Sequence, residues 1–527
     1  MFSCLPPSLP SLLTVCLLFP ASLFASARGS GQAVSEPVAT VTDAGLRIWQ
    51  LPGNPGSGSF HLVVLVGVGS RHEPAGKGGI AHFLEHCMFL SSEGESARQR
   101  TKTLREHDGV ENGSTTKDTT AFQVSVPARH WDFAVRWMAE MITRPALVLE
   151  EVDAERKIVY EEVDVHAPGS KDPTVETILY PDHPLGGAIA GDVERYESIS
   201  RQDLRDFYET WYRSGNIVVA FSGRVPERDC VERIEAEFAA LEPGSAPGPS
   251  VEPTPFTGDY NVGGNGRFRV PRDAKGQLVA GFHVRERSPE NLASLLVLRS
   301  ILGERFMDRV RSELRLAYAP SVDFWTFADA WRLEFSSTIS RRARLPEMRE
   351  AFLGVIAELD SIDARELERA RKQARASLLV SDADQLARVA RQYLVLASSG
   401  AEIAMLDRQL ESLELADVQD LIHSELVAAN RYIVSNEPSG GVQAWHYFLI
   451  LLLVVLAAFE INQDFPLLRR VVLGPCRAVL RNRAAASRRR RRRSDADLLE
   501  NEIHDFYEAE DRMKRRQQKR GKETGEA

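Results

Sequence analysis

Between Pro243 and Pro255 the chain carries five prolines and two glycines in 13 residues. Proline has no backbone N–H to give to a helix turn or an inner strand, so no regular element runs through this stretch. It reads as a linker, 243–258, between two halves of about 200 residues, each long enough for its own core. In the first half, Phe60–Val66 is a β-branched-rich strand, Ile80–Leu90 has helical apolar spacing after Gly78-Gly79, and Thr119–Pro127 alternates as a half-buried strand does. Helices are expected over Ala128–Met141, Leu149–Val163 and Glu227–Leu241, and a strand at Asn216–Gly223. The second half partly repeats this order, with strand Gly276–Val284, helix Pro289–Leu302, strands Ala317–Phe324 and Trp331–Ser337, and helices Leu345–Leu359 and Ala364–Leu379. The expected fold class is α+β, in two related halves.

The net charge of −9 hides an asymmetry: residues 464–527 hold 18 Lys/Arg against 11 Asp/Glu, or +7, which leaves −16 on the rest. An acidic body argues against nucleic acid as a partner of the main domains. Of five cysteines only Cys87 and Cys230 lie in the body, too few for a disulfide framework or a Cys-based zinc site. The apolar stretch Leu12–Phe19, followed by Ala25-Ser26-Ala27, reads as a secretory signal over 1–27, although no basic residue precedes it. A second apolar run, Trp445–Phe459, lies within 22 residues from Pro438 that include no Lys, Arg, Asp or Glu. A run of this length crosses about 30 Å of hydrocarbon as a helix, so a transmembrane helix is expected at 442–461. Phe465–Arg493 then holds 11 Arg and no acid, which marks a cytoplasmic tail, 462–527. The body is expected on the other side of the membrane, as in a bacterial inner-membrane protein facing the periplasm.

The chemistry centres on Ala81-His82-Phe83-Leu84-Glu85-His86. On a helix, positions i and i+4 share one face, so His82 and His86 can point both imidazoles at one ion, with Glu85 on the same side. Hydrolytic zinc sites take three protein ligands and keep a position for water, whose proton a nearby carboxylate accepts. Glu85 suits that base role in the H-x-x-E-H pattern. A third ligand is needed, and Leu149–Val163 offers Glu151, Glu155, Glu161 and Glu162. Glu155 and Glu162 are two turns apart and share a face, so one can bind metal while the other holds a ligand in place. His72, His130, His166 and His283 lack metal spacing.

The stretch GGIAHFLEHCMFLSS resembles the zinc helix of the M16 peptidases, the pitrilysin and insulinase group that includes mitochondrial processing peptidase. That family's third ligand is a Glu about 75 residues beyond the second His. The resemblance thus selects Glu162, with 75 residues between it and His86, and assigns Glu155 a supporting role. Asn112, Thr115, Thr120 and Phe122 follow the spacing of the family's edge strand, which implies that Asn112 and Gly113 bind substrate backbone; the family usually has Ala where this chain has Gly113. His183-Pro184-Leu185-Gly186 resembles the loop after the ligand helix, and Arg311 and Tyr318 match an Arg-x6-Tyr pair that reaches the active site from the second domain. The resemblance covers roughly Val38–Ser435. It implies two homologous α/β-sandwich domains, a catalytic one at 38–242 and an inactive one at 259–437, working as a homodimer or beside an M16-like partner.

The function expected is a membrane-anchored zinc endopeptidase acting on peptides or unfolded proteins. Zn2+ is held by His82, His86 and Glu162, Glu85 is the base, and Arg311 and Tyr318 stabilise the oxyanion or grip a neighbouring carbonyl. Two alternatives fit parts of the pattern: a non-catalytic, membrane-anchored binding subunit of the same fold, and a scaffold acting through its basic tail.

Overall fold

The computed structural model describes residues 37–436 apart from 54–56, 167–174, 192, 247–252, 263–274 and 399–403. The expected leader 1–27, the middle of the linker, the apolar segment 442–461 and the tail 462–527 lie outside the described residues. No helix of the described residues is long and apolar enough to cross a membrane.

Two mixed sheets organise the body. The first contains β1 (Val38–Val41), β2 (Arg47–Gln50), β3 (Ser59–Val66), β4 (Val110–Thr115), β5 (Thr120–Pro127) and β6 (Ile217–Gly223), in the order β1-β2-β6-β3-β5-β4. The second contains β7 (Gly258–Asn261), β8 (Gly276–Val284), β9 (Ser321–Thr326), β10 (Trp331–Ile339) and β11 (Arg431–Ser435), in the order β7-β11-β8-β10-β9. The sandwich pattern of helices on sheets is present in both halves.

The inner strands of the first sheet are buried along nearly their whole length and mostly apolar because both faces are covered. Successive side chains of a strand point to opposite faces. In β3, Phe60, Leu62, Val64 and Val66 join a core with the helices Ile80–Cys87, Trp131–Thr143, Arg201–Trp211 and Glu227–Phe238. Val63 and Leu65 face the other way, with Ala121 of β5 and Val218 and Ala220 of β6. That second face is covered from beyond the linker by the helix Ala383–Ser398, through Leu386, Ala387, Val389, Ala390 and Tyr393. The stretch read as a half-buried strand, Thr119–Pro127, is therefore buried on both sides, including Thr120 and Gln123. Its polar residues alternate, but the covering helix removes the solvent that such alternation ordinarily signals.

The halves also exchange a loop. Ile178, Leu179, Tyr180 and Leu185, around the His183–Gly186 loop, pack on Val279, Phe327, Ala330, Tyr432 and Val434 of the second half. Beneath them Arg332, fully buried, pairs with Glu176 of the first half (Nη2–Oε1 2.8 Å) and lies 3.0 Å from Glu334. Arg71 bridges Asp118 and Asp329, and Ala328 N–H donates to Asp118 at 2.8 Å, so the β4–β5 turn is pinned to the β9–β10 turn. The second half carries no paired His and Glu at the helix Pro289–Met307 that follows β8, as its sequence indicates.

Candidate metal centre

The motif helix starts at Gly79, whose φ of +94° is comfortable only without a side chain; a Cβ there would also stand 2.8 Å from Ala190 O. Two N–H groups at this end, those of Gly79 and Ala81, donate to the Glu73 carboxylate at 2.8 and 3.0 Å. Burial pushes the Glu73 carboxyl up to about 8, against the pull of those two bonds. The helix ends at Cys87 rather than at Leu90, where the chain closes in turns onto Glu85 O and His86 O.

One turn apart on this helix, His82 and His86 stand with ring centroids 4.7 Å apart. Ligand atoms of His82, His86 and Glu162 all lie within 4.8 Å of one another. The helix Leu149–His166 supplies two carboxylates to a single imidazole. Glu155 Oε1 is 3.0 Å from His86 Nδ1, and Glu162 Oε2 is 3.3 Å from His86 Nε2. The seven-residue spacing thus places one carboxylate on each ring nitrogen. Tyr196 gives its proton to Ala190 O, so at 3.4 Å its oxygen accepts from His82 Nδ1. With a cation on their other ring nitrogens, both histidines would keep an Nδ1 proton, held by Glu155 at His86 and by Tyr196 at His82.

The electrostatics favour a cation there. Burial acts to depress the His86 pKa, but hydrogen bonds to Glu155 and Glu162 and the Glu85 charge outweigh it and raise it to about 9. His82 is held down at about 4, by burial first and the His86 charge second. Three donors set tetrahedrally around zinc at about 2.0–2.1 Å stand roughly 3.3 Å from each other. The His86–Glu162 separation of 3.3 Å already has that value. Two imidazole nitrogens and one carboxylate oxygen are a hydrolytic zinc donor set, and the residues fit the ion.

Glu85 is buried beside this cluster, and its Oε2 accepts from Thr115 Oγ1 at 2.5 Å. Burial raises its pKa, opposed by the Thr115 bond and by His86. Thr115 belongs to β4, the outermost strand, which pairs with β5 alone among the described strands. On the same face of β4, a Cβ at Gly113 would meet Glu85 Oε1 at 2.4 Å and the Phe89 ring at 2.8 Å, so glycine leaves the space that the carboxylate occupies here. Asn112 is exposed at the open edge.

Residues 52–192 match the family profile described as Insulinase (Peptidase family M16), and 198–374 match the Peptidase M16 inactive domain. The chain belongs to the M16 peptidase family. Among its M16 relatives, a protein named an uncharacterized zinc protease from Bacillus subtilis is 28% identical over 348 residues, 64% of this chain and 82% of that one. A probable mitochondrial-processing peptidase subunit beta from Schizosaccharomyces pombe is 30% identical over 187 residues, 34% of this chain and 41% of that one. In fold, the crystal structure of a protease from Helicobacter pylori superposes with a TM-score of 0.66 at 20% identity, covering 77% of this chain and 100% of that one.

Within this M16 body, Arg311 and Tyr318 come together, but on their own. The Arg311 guanidinium sits 4.5 Å over the Tyr318 ring, Tyr318 is 79% exposed, and no described contact ties the pair to His82, Glu85 or His86. The second half instead reaches the site's neighbourhood through Arg391, whose Nη2 donates to Ser114 Oγ at 2.7 Å and Nε to Thr119 Oγ1 at 3.2 Å. Sequence reasoning passed over Arg391, Tyr196 and Glu73. An arginine amid the apolar positions Leu386, Val389, Ala390 and Tyr393, and a carboxylate shortly before a Gly-Gly helix start, were the available signals; Tyr196 had none.

Proposed function

We propose that this chain is a zinc-dependent metalloendopeptidase that hydrolyses peptides or unfolded polypeptides. The observation that carries the reading is the convergence of His82, His86 and Glu162 within 4.8 Å, with the Glu85 carboxylate buried beside them. Zinc held by these three residues would supply Lewis acidity, which acidifies water and polarises a carbonyl. Glu85 takes the proton of the attacking water as the new C–O bond forms, and delivers it to the amine nitrogen as the C–N bond breaks. Thr115 holds the Glu85 carboxylate in place, and Glu155 and Tyr196 hold the imidazoles by their Nδ1 protons. The open edge of β4 at Asn112-Gly113 receives the substrate backbone as an added strand. Arg311 and Tyr318, stacked and solvent-facing, are assigned to the substrate carbonyl or its oxyanion.

The purified full-length chain is expected to hold one zinc per chain and to cleave an unstructured peptide. Dialysis against a chelator should abolish cleavage, and stoichiometric zinc should restore it. Full activity in a chain shown to be free of metal would refute the reading; absence of both zinc and cleavage would favour a binding subunit of the same fold.

The same proposal places the body outside the cytoplasm, anchored by 442–461, with 462–527 as the cytoplasmic tail. Membranes washed in alkaline carbonate should retain the chain, and deleting 442–527 should release it; a chain that washes off intact has no such anchor. The active particle is assigned as a homodimer or as a pair with an M16-like subunit, which its mass in detergent decides.

A further inference from the structure

We propose that Arg391 is a positioning residue for peptide binding: reaching from the second half through Ser114 and Thr119, it fixes the outermost strand β4 against which substrate backbone lies. This inference rests on the peptidase reading. An outermost strand is held by a ladder on one side only, so its position is the least determined in the sheet. In β4, residues 110–112 are exposed, and only the end at Gly113–Thr115 is half-buried. That end is held from both faces. Alternation along the strand turns Gly113 and Thr115 toward the motif helix, where Thr115 donates to Glu85 at 2.5 Å. Ser114 turns to the opposite face and accepts from Arg391 at 2.7 Å.

The second Arg391 bond goes to the turn that joins β4 to β5. Thr119 Oγ1 lies 3.0 Å from Thr116 Oγ1, and Thr119 N–H donates to Thr116 Oγ1 at 3.0 Å, so the turn is a hydrogen-bonded knot that the guanidinium holds beside the strand. Arg391 itself is fixed by its helix, whose Val389, Ala390 and Tyr393 are buried in the core shared by both halves.

The choice of residue supports a role beyond packing. No carboxylate of the described residues stands within ion-pair distance of Arg391; its partners are two hydroxyls. Burial disfavours the charge and lowers the pKa to about 10, against the more distant charges of Glu85 and Asp384. A half-buried guanidinium without an ion pair costs stability relative to an apolar side chain of similar size, which would cover the sheet equally well. What the guanidinium adds is a planar fork that spans strand and turn at once.

The test uses the full-length, zinc-loaded chain with Arg391→Met, Arg391→Lys, Ser114→Ala and the double variant Ser114→Ala/Arg391→Met. Zinc stoichiometry is expected to stay at the wild-type value. For an unstructured peptide, Arg391→Met should raise KM about tenfold with kcat changed less than threefold. Arg391→Lys, which keeps the charge on a single donor nitrogen, should recover part of the loss. The double variant should be no worse than Arg391→Met alone, since the bond that Ser114→Ala removes is already absent there. Unchanged KM in Arg391→Met, or full additivity in the double variant, would overturn the proposal. Hydrogen exchange at Val110–Thr115 reads the hold on the strand without any turnover. Faster exchange in Arg391→Met supports the positioning role even where no peptide is cleaved, a result that would sink the peptidase reading alone; unaltered exchange sinks the positioning role.

Discussion

Glu85→Gln is expected to lower kcat by about 10²–10⁴-fold, the range that a positioned proton acceptor contributes, while zinc content and KM stay near wild type. The substitution keeps the shape of the side chain. The amide oxygen can still accept from Thr115, which now donates to Glu85 at 2.5 Å. His82 and His86 keep their Nδ1 partners, because Glu155 and Tyr196 have no hydrogen bond to position 85 among the described contacts. What disappears is the capacity to take a proton from water and return it to an amine. The measurement is steady-state cleavage of an unstructured peptide beside a zinc assay on the same sample. A kcat within tenfold of wild type would assign the base elsewhere. Loss of zinc would mean that Glu85 has a part in building the centre.

The largest stability effect is expected at Arg332. Its side chain is fully buried, bonded to Glu176 at 2.8 Å and 3.0 Å from Glu334, though the latter contact is too poorly aligned for a hydrogen bond. Tyr432 O–H donates to Glu334 at 3.0 Å, and Tyr180, Trp325 and Phe327 surround the guanidinium. The two carboxylates respond oppositely. Burial works to raise Glu176, but Arg332 outweighs it and the pKa is lowered, whereas burial prevails at Glu334 and raises it. Arg332→Leu removes the fully buried cation between two partly buried acids, and removal of one partner from such a network costs about 3–5 kcal/mol. Denaturant unfolding of the full chain should show that loss. Adding Glu176→Gln and Glu334→Gln should recover much of it, because the cost lies in the stranded charges and not in the pair itself. A loss below about 1 kcal/mol, the scale of an exposed ion pair, would show that water reaches the cluster.

The histidine pair was legible in the sequence because its geometry is local, and so was the shared face of Glu155 and Glu162, though not which glutamate of that helix binds metal. One helical turn separates His82 from His86, two separate Glu155 from Glu162, and helix periodicity alone aims each pair. Long apolar strands such as Phe60–Val66 and Gly276–Val284 were legible for the same reason. Short strands were not: β1, β2, β7 and β11 have four or five residues each, too few to show a period. The partners that complete the site are also non-local. Glu162 is 76 positions beyond His86 and was selected by family resemblance, not by pattern. Arg391 meets Ser114 across 277 positions, and Tyr196 meets His82 across 114. Such pairings are fixed by how segments pack, which no window of sequence contains.

The helix Ala383–Ser398 sets an order on the molecule's assembly during synthesis. Until residue 398 has left the ribosome, the back of the first sheet, with Val63, Leu65, Val218 and Ala220, has nothing to cover it. His82, Glu85, His86 and Glu162, all before position 163, are made long before the helix that covers the sheet behind them. A nascent chain therefore carries these four side chains through most of translation on an unfinished scaffold, and gains a settled first sheet only near the end of its folded body.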